Sequence, residues 1–135
     1  MAEDNPADVE LLRIALRSIP DQITLDVVRD GAEAMEFLQK QGKYADSPSP
    51  DLVIVDLNMP MVDGYAFLAM RAQKPAVRCI PVLVFSTSSE PREVNRAYAG
   101  GANAYVTKPM GFSQYAQIMA CVSRFWLHTC SLPEH

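Results

Sequence analysis

The stretch Leu52-Val53-Ile54-Val55-Asp56-Leu57-Asn58-Met59-Pro60 decides how this chain is read. An unbroken apolar run rich in β-branched residues marks a strand buried on both faces, because a strand with one wet face alternates polar and apolar. Asp56 falls at the carboxyl end of that strand, where open α/β sheets bind their ligands. A carboxylate placed there loses solvation, so it needs a partner or a task.

On either side, helical and strand patterns alternate between Gly and Pro breaks, which predicts parallel strands joined by crossover helices. Asn5 caps a first helix with Pro6 in its opening turn; Val9, Leu12, Ile14, Leu16 and Ile19 form its apolar side and Pro20 stops it. Residues 23–28 read as a strand, and Asp30-Gly31 opens a second helix that ends near Gly42. Asp63-Gly64 opens a third helix, which runs to about Gln73. Val82-Leu83-Val84-Phe85 is a strand that runs into Ser86-Thr87, and a helix from Pro91 to Ala99 is broken by Gly100-Gly101. Ala104-Tyr105-Val106 is a last strand that ends at Thr107-Lys108-Pro109, and a final helix starts near Ser113. Phe125 and Trp126 are adjacent on that helix, so both cannot point inward; one is expected at an edge or in a homodimer contact.

At 135 residues and a formal charge of -4, the chain is one domain without a basic patch, which argues against a nucleic-acid module. No apolar stretch approaches the ~20 residues of a membrane span, and Met1-Ala2-Glu3-Asp4 is no signal peptide. Cys79, Cys121 and Cys130 form no CxxC pair and are expected as free thiols in a cytoplasmic protein. His128 and His135 have no evident ligand partners, and Asp8, Asp30 and Asp63 read as caps or turn residues.

Parallel strands bring Asp56, Ser86-Thr87 and Lys108 to one sheet edge, with Glu3-Asp4 just before the first helix. Carboxylates ~4–5 Å apart repel by a few kcal/mol even at an effective dielectric near 20, so the cluster calls for raised pKa values or a counter-cation. Mg²⁺, which takes one or two carboxylates plus phosphate oxygens, suits it better than Ca²⁺. Lys108 and Ser86 would hold the other oxygens of a phosphoryl group, a setting for carboxylate attack on phosphorus.

The ordered set Glu3-Asp4-Asn5-Pro6-Ala7-Asp8, Asp56-Leu57-Asn58-Met59-Pro60 with Asp63-Gly64, Ser86, Tyr105 and Lys108-Pro109 resembles the receiver domain of two-component response regulators across essentially the whole chain. The resemblance implies a doubly wound, flavodoxin-like (βα)5 parallel sheet of order 2-1-3-4-5. It implies Asp56 as phosphoacceptor from a sensor histidine kinase and Lys108 as the ammonium on the phosphoryl group. Mg²⁺ would sit on Asp4, Asp56 and the Asn58 backbone carbonyl, with Glu3 acting through water. Ser86 would be the switch hydroxyl, Tyr105 the aromatic that follows it, and the Lys108-Pro109 bond cis. Gln41-Gly42-Lys43-Tyr44 through Ser49-Pro50-Asp51-Leu52, and the ending Phe125-Trp126-Leu127-His128-Thr129-Cys130-Ser131-Leu132-Pro133, look like the single-domain regulators paired with phytochrome-type kinases. With the final helix so near the end, no output domain is expected, and output is expected through contact with another protein.

Two other readings compete. Haloacid-dehalogenase-like phosphatases carry a second Asp two positions after the nucleophile; Asn58 stands there, an amide that cannot move the proton, so only slow self-hydrolysis is expected. An unphosphorylated binding module is the other. One departure from the family matters: only Met1 and Ala2 precede Glu3-Asp4, so the first, central strand is largely missing. Met1-Ala2 are expected to be its last two residues, with the start misassigned within a longer chain. Direct pairing of the flanking strands, or a second chain in the gap, are the other two solutions. Glu3 and Asp4 are then expected on a loose end.

Overall fold

The computed structural model describes residues 1–134, so His135, considered above as a ligand, lies outside the described residues. Its regular sheet has three parallel strands, β1 (Val53–Val55), β2 (Val82–Ser86) and β3 (Ala104–Thr107), in the order β1-β2-β3. Val53 lies opposite Val82, and Leu83 opposite Ala104. Five α-helices connect and flank them: α1 (Pro6–Arg17), α2 (Gly31–Gln39), α3 (Gly64–Ala72), α4 (Pro91–Ala99) and α5 (Phe112–Ser123).

The expected caps start three of these helices. The side chains of Asn5, Asp30 and Asp63 accept from the backbone N–H groups of Ala7, Glu33 and Ala66, each at 2.9 Å. Every residue of β2 is buried, as a central strand covered on both faces requires. Its side chains alternate between two cores. Val82 and Val84 belong to the core that holds Phe37, Leu38, Phe67, Leu68 and Ala97 of α2, α3 and α4. Leu83 and Phe85 belong to the other, with Leu12, Ala15, Tyr115 and Met119 of α1 and α5. The result is the doubly wound flavodoxin-like layering that was expected.

The strand expected at 23–28 is not a regular strand. Only Val28 pairs, in an isolated parallel bridge to Ala2, which also bridges Val55. Through these bridges the lateral order is Val28, Ala2, β1, β2, β3, so the order 2-1-3-4-5 is kept with its first two strands reduced to single bridges. The physical reason is where the backbone bonds fall. Ala2 donates to Ile54 O at 2.8 Å, Glu3 donates to Val28 O at 2.9 Å, and Val28 donates to Met1 O at 2.9 Å. Among the described residues no bridge holds residues 23–25 extended. The flanking strands do not pair directly; a cavity of about 630 Å³ lies between them instead, lined by residues such as Met1, Leu12, Leu25, Phe37, Ile54 and Met119.

At the far end, α5 runs into a π-helical turn, Arg124–Thr129. The rings of Phe125 and Trp126 meet edge to face at 5.1 Å; Trp126 packs on the α1–α5 core and Phe125 is 50% exposed. His128 Nε2 lies 2.8 Å from Asp21 Oδ1, a residue remote in sequence that the fold brings beside the turn.

Candidate phosphoryl and metal site

Asp56 lies just beyond β1, its side chain 11% exposed. Beside it, the Gly64 N–H donates to Leu57 O at 3.1 Å. A Cβ on Gly64 would stand 2.5 Å from Asp56 O and 2.8 Å from Leu57 Cα, so only glycine lets the start of α3 approach the Asp56 loop this closely. Asn58 is exposed, with its N–H 3.4 Å from Asp56 Oδ1.

Glu3 is not on a loose end. It is 1% exposed, because backbone bonds tie Ala2 and Glu3 to β1 on one side and Val28 on the other. Asp4 follows, exposed. Carboxylate oxygens of Glu3, Asp4 and Asp56 all lie within 4.8 Å of one another. Lys108 enters from the end of β3, where its N–H donates to Ser86 O at 2.7 Å. Its Nζ is 2.5 Å from Glu3 Oε1, 3.0 Å from Asp8 Oδ2 and 3.5 Å from Asp56 Oδ2. Asp8 was expected as a cap residue; it reaches Lys108 because the first turn of α1 faces the end of β3. The Lys108–Pro109 bond is trans, contrary to the expected cis form: no peptide bond is cis among the described residues, and the ordinary trans preference of an X-Pro bond prevails here.

Burial pushes the Glu3 carboxyl up to about 7, with the Asp56 carboxylate adding to the shift and Lys108 opposing it. For Lys108, burial works against the charge, but hydrogen bonds to Glu3 and Asp8 and the field of Asp56 outweigh it and hold the ammonium above its usual range. One ammonium therefore leaves the cluster short of positive charge. Three close carboxylates of hard oxygen chemistry fit a divalent cation.

Ser86 is fully buried; its Oγ lies 3.4 Å from Ser88 N, and the Tyr105 hydroxyl donates to Ser88 O at 2.7 Å. Both expected switch residues thus meet at Ser88, a link that spacing along the sequence does not reveal. Of the expected site residues, Glu3, Asp4, Asp56 and Lys108 form one cluster, Ser86 is joined to it through Lys108 N, and Tyr105 lies one hydrogen bond farther out.

A family model described as the response regulator receiver domain matches residues 1–120. The chain belongs to that family. This receiver is 38% identical over 133 residues to the response regulator Rcp1 of Synechocystis sp., covering 98% of this chain and 90% of Rcp1. Among solved structures, the phosphorylated cyanobacterial phytochrome response regulator RcpA matches the receiver with a TM-score of 0.92 at 40% identity, over 98% of this chain and 95% of RcpA. The Mn²⁺-bound form of Rcp1 matches with a TM-score of 0.89 at 38% identity, over 98% of this chain and 96% of that one. A response regulator in red light signalling of R. palustris gives 0.94 at 31%, over 99% and 96%. The chain is thus a two-component phosphorelay response regulator, a signalling receiver whose family implies a histidine kinase as partner and a divalent cation as cofactor. No helix of the described residues is long and apolar enough to cross a membrane.

Proposed function

We propose that Asp56 is the phosphoacceptor of this receiver and that Mg²⁺ is the cation it uses. The observation that carries the reading is the Asp56 carboxylate held between two further carboxylates and the Lys108 ammonium at 3.5 Å. An Asp56 oxygen attacks phosphorus; the P–N bond of a kinase phosphohistidine breaks, and the imidazole leaves with the electron pair. Asp4, Asp56 and the Asn58 carbonyl would hold the ion, with Glu3 through water, and Mg²⁺ so held would offset the charge of the phosphoryl oxygens.

Phosphorylation puts nearly two negative charges where Asp56 carried one and adds acceptor oxygens. Lys108 meets one of them, and the Ser86 hydroxyl meets another by drawing its loop inward. Because Ser88 links Ser86 to Tyr105, that movement pulls on the tyrosine and reshapes the face of α4, β3 and α5. Output is a change in affinity for a protein that reads this face. Asn58, an amide, leaves only slow self-hydrolysis of the acyl phosphate. We take residues 1–135 as one receiver unit, its kinase as phytochrome-type, and its location as cytoplasmic; the named relatives support the kinase, and the free thiols of Cys79, Cys121 and Cys130 suit a reducing compartment. The outward Phe125 supports pairing of two copies through the end of α5.

Incubation with Mg²⁺ and acetyl phosphate followed by intact mass tests the reading. One phosphoryl adduct, lost in Asp56→Asn and without Mg²⁺, is expected. Multiple turnover of acetyl phosphate would make the protein a phosphohydrolase, and absence of an adduct would leave a binding module.

A further inference from the structure

Asp8 lies in the first turn of α1, where an acidic residue favours the helix dipole and needs no other role. Its side chain does more here: Asp8 Oδ2 accepts from Lys108 Nζ at 3.0 Å, closer than the 3.5 Å from that nitrogen to Asp56 Oδ2. The Asp8 side chain is 24% exposed and that of Lys108 is 5% exposed, so the contact lies at the edge of the buried cluster. Its backbone is fixed from α5, where the buried Tyr115 hydroxyl donates to Asp8 O at 3.4 Å. Lys108 has three N–H donors; Glu3 and Asp8 each accept a hydrogen bond from it, while Asp56 lies within ion-pair distance only.

We infer that Asp8 is a positioning residue that tethers the Lys108 ammonium to α1 and restrains it from closing on a phosphoryl group at Asp56. The inference rests on Asp56 being the phosphoacceptor. A phosphoryl group on Asp56 competes with Asp8 for the same ammonium, and the Asp8 charge also repels the incoming phosphoryl oxygens. Both effects have one sign: Asp8 disfavours the phosphorylated arrangement and shortens its life. On the metal alone the sign reverses, because a released Lys108 competes with the cation for Asp56.

The test compares wild type, Asp8→Asn and Asp8→Glu by beryllium trifluoride affinity at saturating Mg²⁺, by Mg²⁺ affinity without it, by loss of the acetyl-phosphate adduct with time, and by thermal melting. In Asp8→Asn, beryllium trifluoride is expected to bind several-fold tighter and the adduct to last several-fold longer, with Mg²⁺ affinity equal or weaker. Asp8→Glu, which keeps the charge, is expected to return all three toward wild type. Equal values for wild type and Asp8→Asn overturn the inference. So does a common weakening of both affinities with a lower melting temperature, which marks Asp8 as a helix-stabilising residue only. If wild type takes no adduct, the phosphoacceptor reading fails first, and the two failures are thereby told apart.

Discussion

Glu3 carries a carboxyl pushed up to about 7 by burial and by the Asp56 carboxylate beside it. A cation held directly or through water by Glu3 needs the ionised form, so metal binding and deprotonation are linked. Mg²⁺ affinity is expected to fall on the order of tenfold from pH 8 to pH 6, about one unit either side of that value. Glu3→Gln is expected to flatten the profile, and calorimetric titration at the two pH values checks both; equal wild-type affinities would refute the linkage. The sign for stability is opposite. In metal-free protein the folded state keeps the Glu3 proton to higher pH than the unfolded chain, so this contribution is present below 4.5 and is lost as pH rises to about 7. Asp56 and Lys108 were legible in the sequence because a polar residue after an apolar run stands out. Asp8 was not, since an acid in the first turn of a helix is ordinary. Arg71 was equally hidden: it reads as the basic last turn of α3, yet it is buried, donating to Ile80 O at 2.7 Å and to Gly101 O at 3.2 Å.

At the scale of elements, helices were the readable part, because their caps and periodicity are local. Asn5, Asp30 and Asp63 start α1, α2 and α3 as expected, and Pro91 opens α4. Residues 23–28 show the limit. Their apolar pattern suits a strand, but a strand is held by its neighbour, and among these residues only Val28 forms a bridge, to Ala2. The Met1 amino group donates to Asp26 O at 2.7 Å, and burial lowers its pKa to about 6. About four apolar residues joined ahead of Met1 would replace that amino group by an amide, extend the ladder on both sides and fill the cavity beside Leu25, Ile54 and Met119. Each side chain so buried contributes roughly 1.5–3 kcal/mol against roughly 1–2 kcal/mol of backbone ordering. A melting temperature higher by about 5–10 °C is expected, with no gain from a Gly/Ser extension of equal length. A rise common to both extensions would show that capping the amino group, and not the apolar side chains, is what stabilises.

Across the whole molecule, two cores grip one sheet, and the site lies where the carboxyl end of β1, the start of α1 and the end of β3 converge. The π-helical turn that follows α5, at the far end of that helix, carries the outward Phe125 beside the inward Trp126. If two copies pair there, Phe125→Ala is expected to raise the dimer dissociation constant about tenfold or more, as loss of a central aromatic anchor does, without changing adduct formation with acetyl phosphate. Sedimentation velocity over a concentration series reads this directly; a wild type monomeric throughout would remove the dimer.

The sequence by itself determined the α/β alternation, the helix caps and the grouping of Asp56, Lys108, Glu3, Asp4 and Ser86 at one edge of the sheet as a candidate site, because periodicity, capping and motif order are written in neighbouring residues. Tertiary structure decided the rest: Glu3 is anchored instead of loose, residues 23–28 pair only at Val28, Asp8 shares Lys108, and Ser88 joins Ser86 to Tyr105. Each of these depends on which residues, distant in sequence, are brought within hydrogen-bonding reach, and only the packing of α1 and the strands against one another sets that.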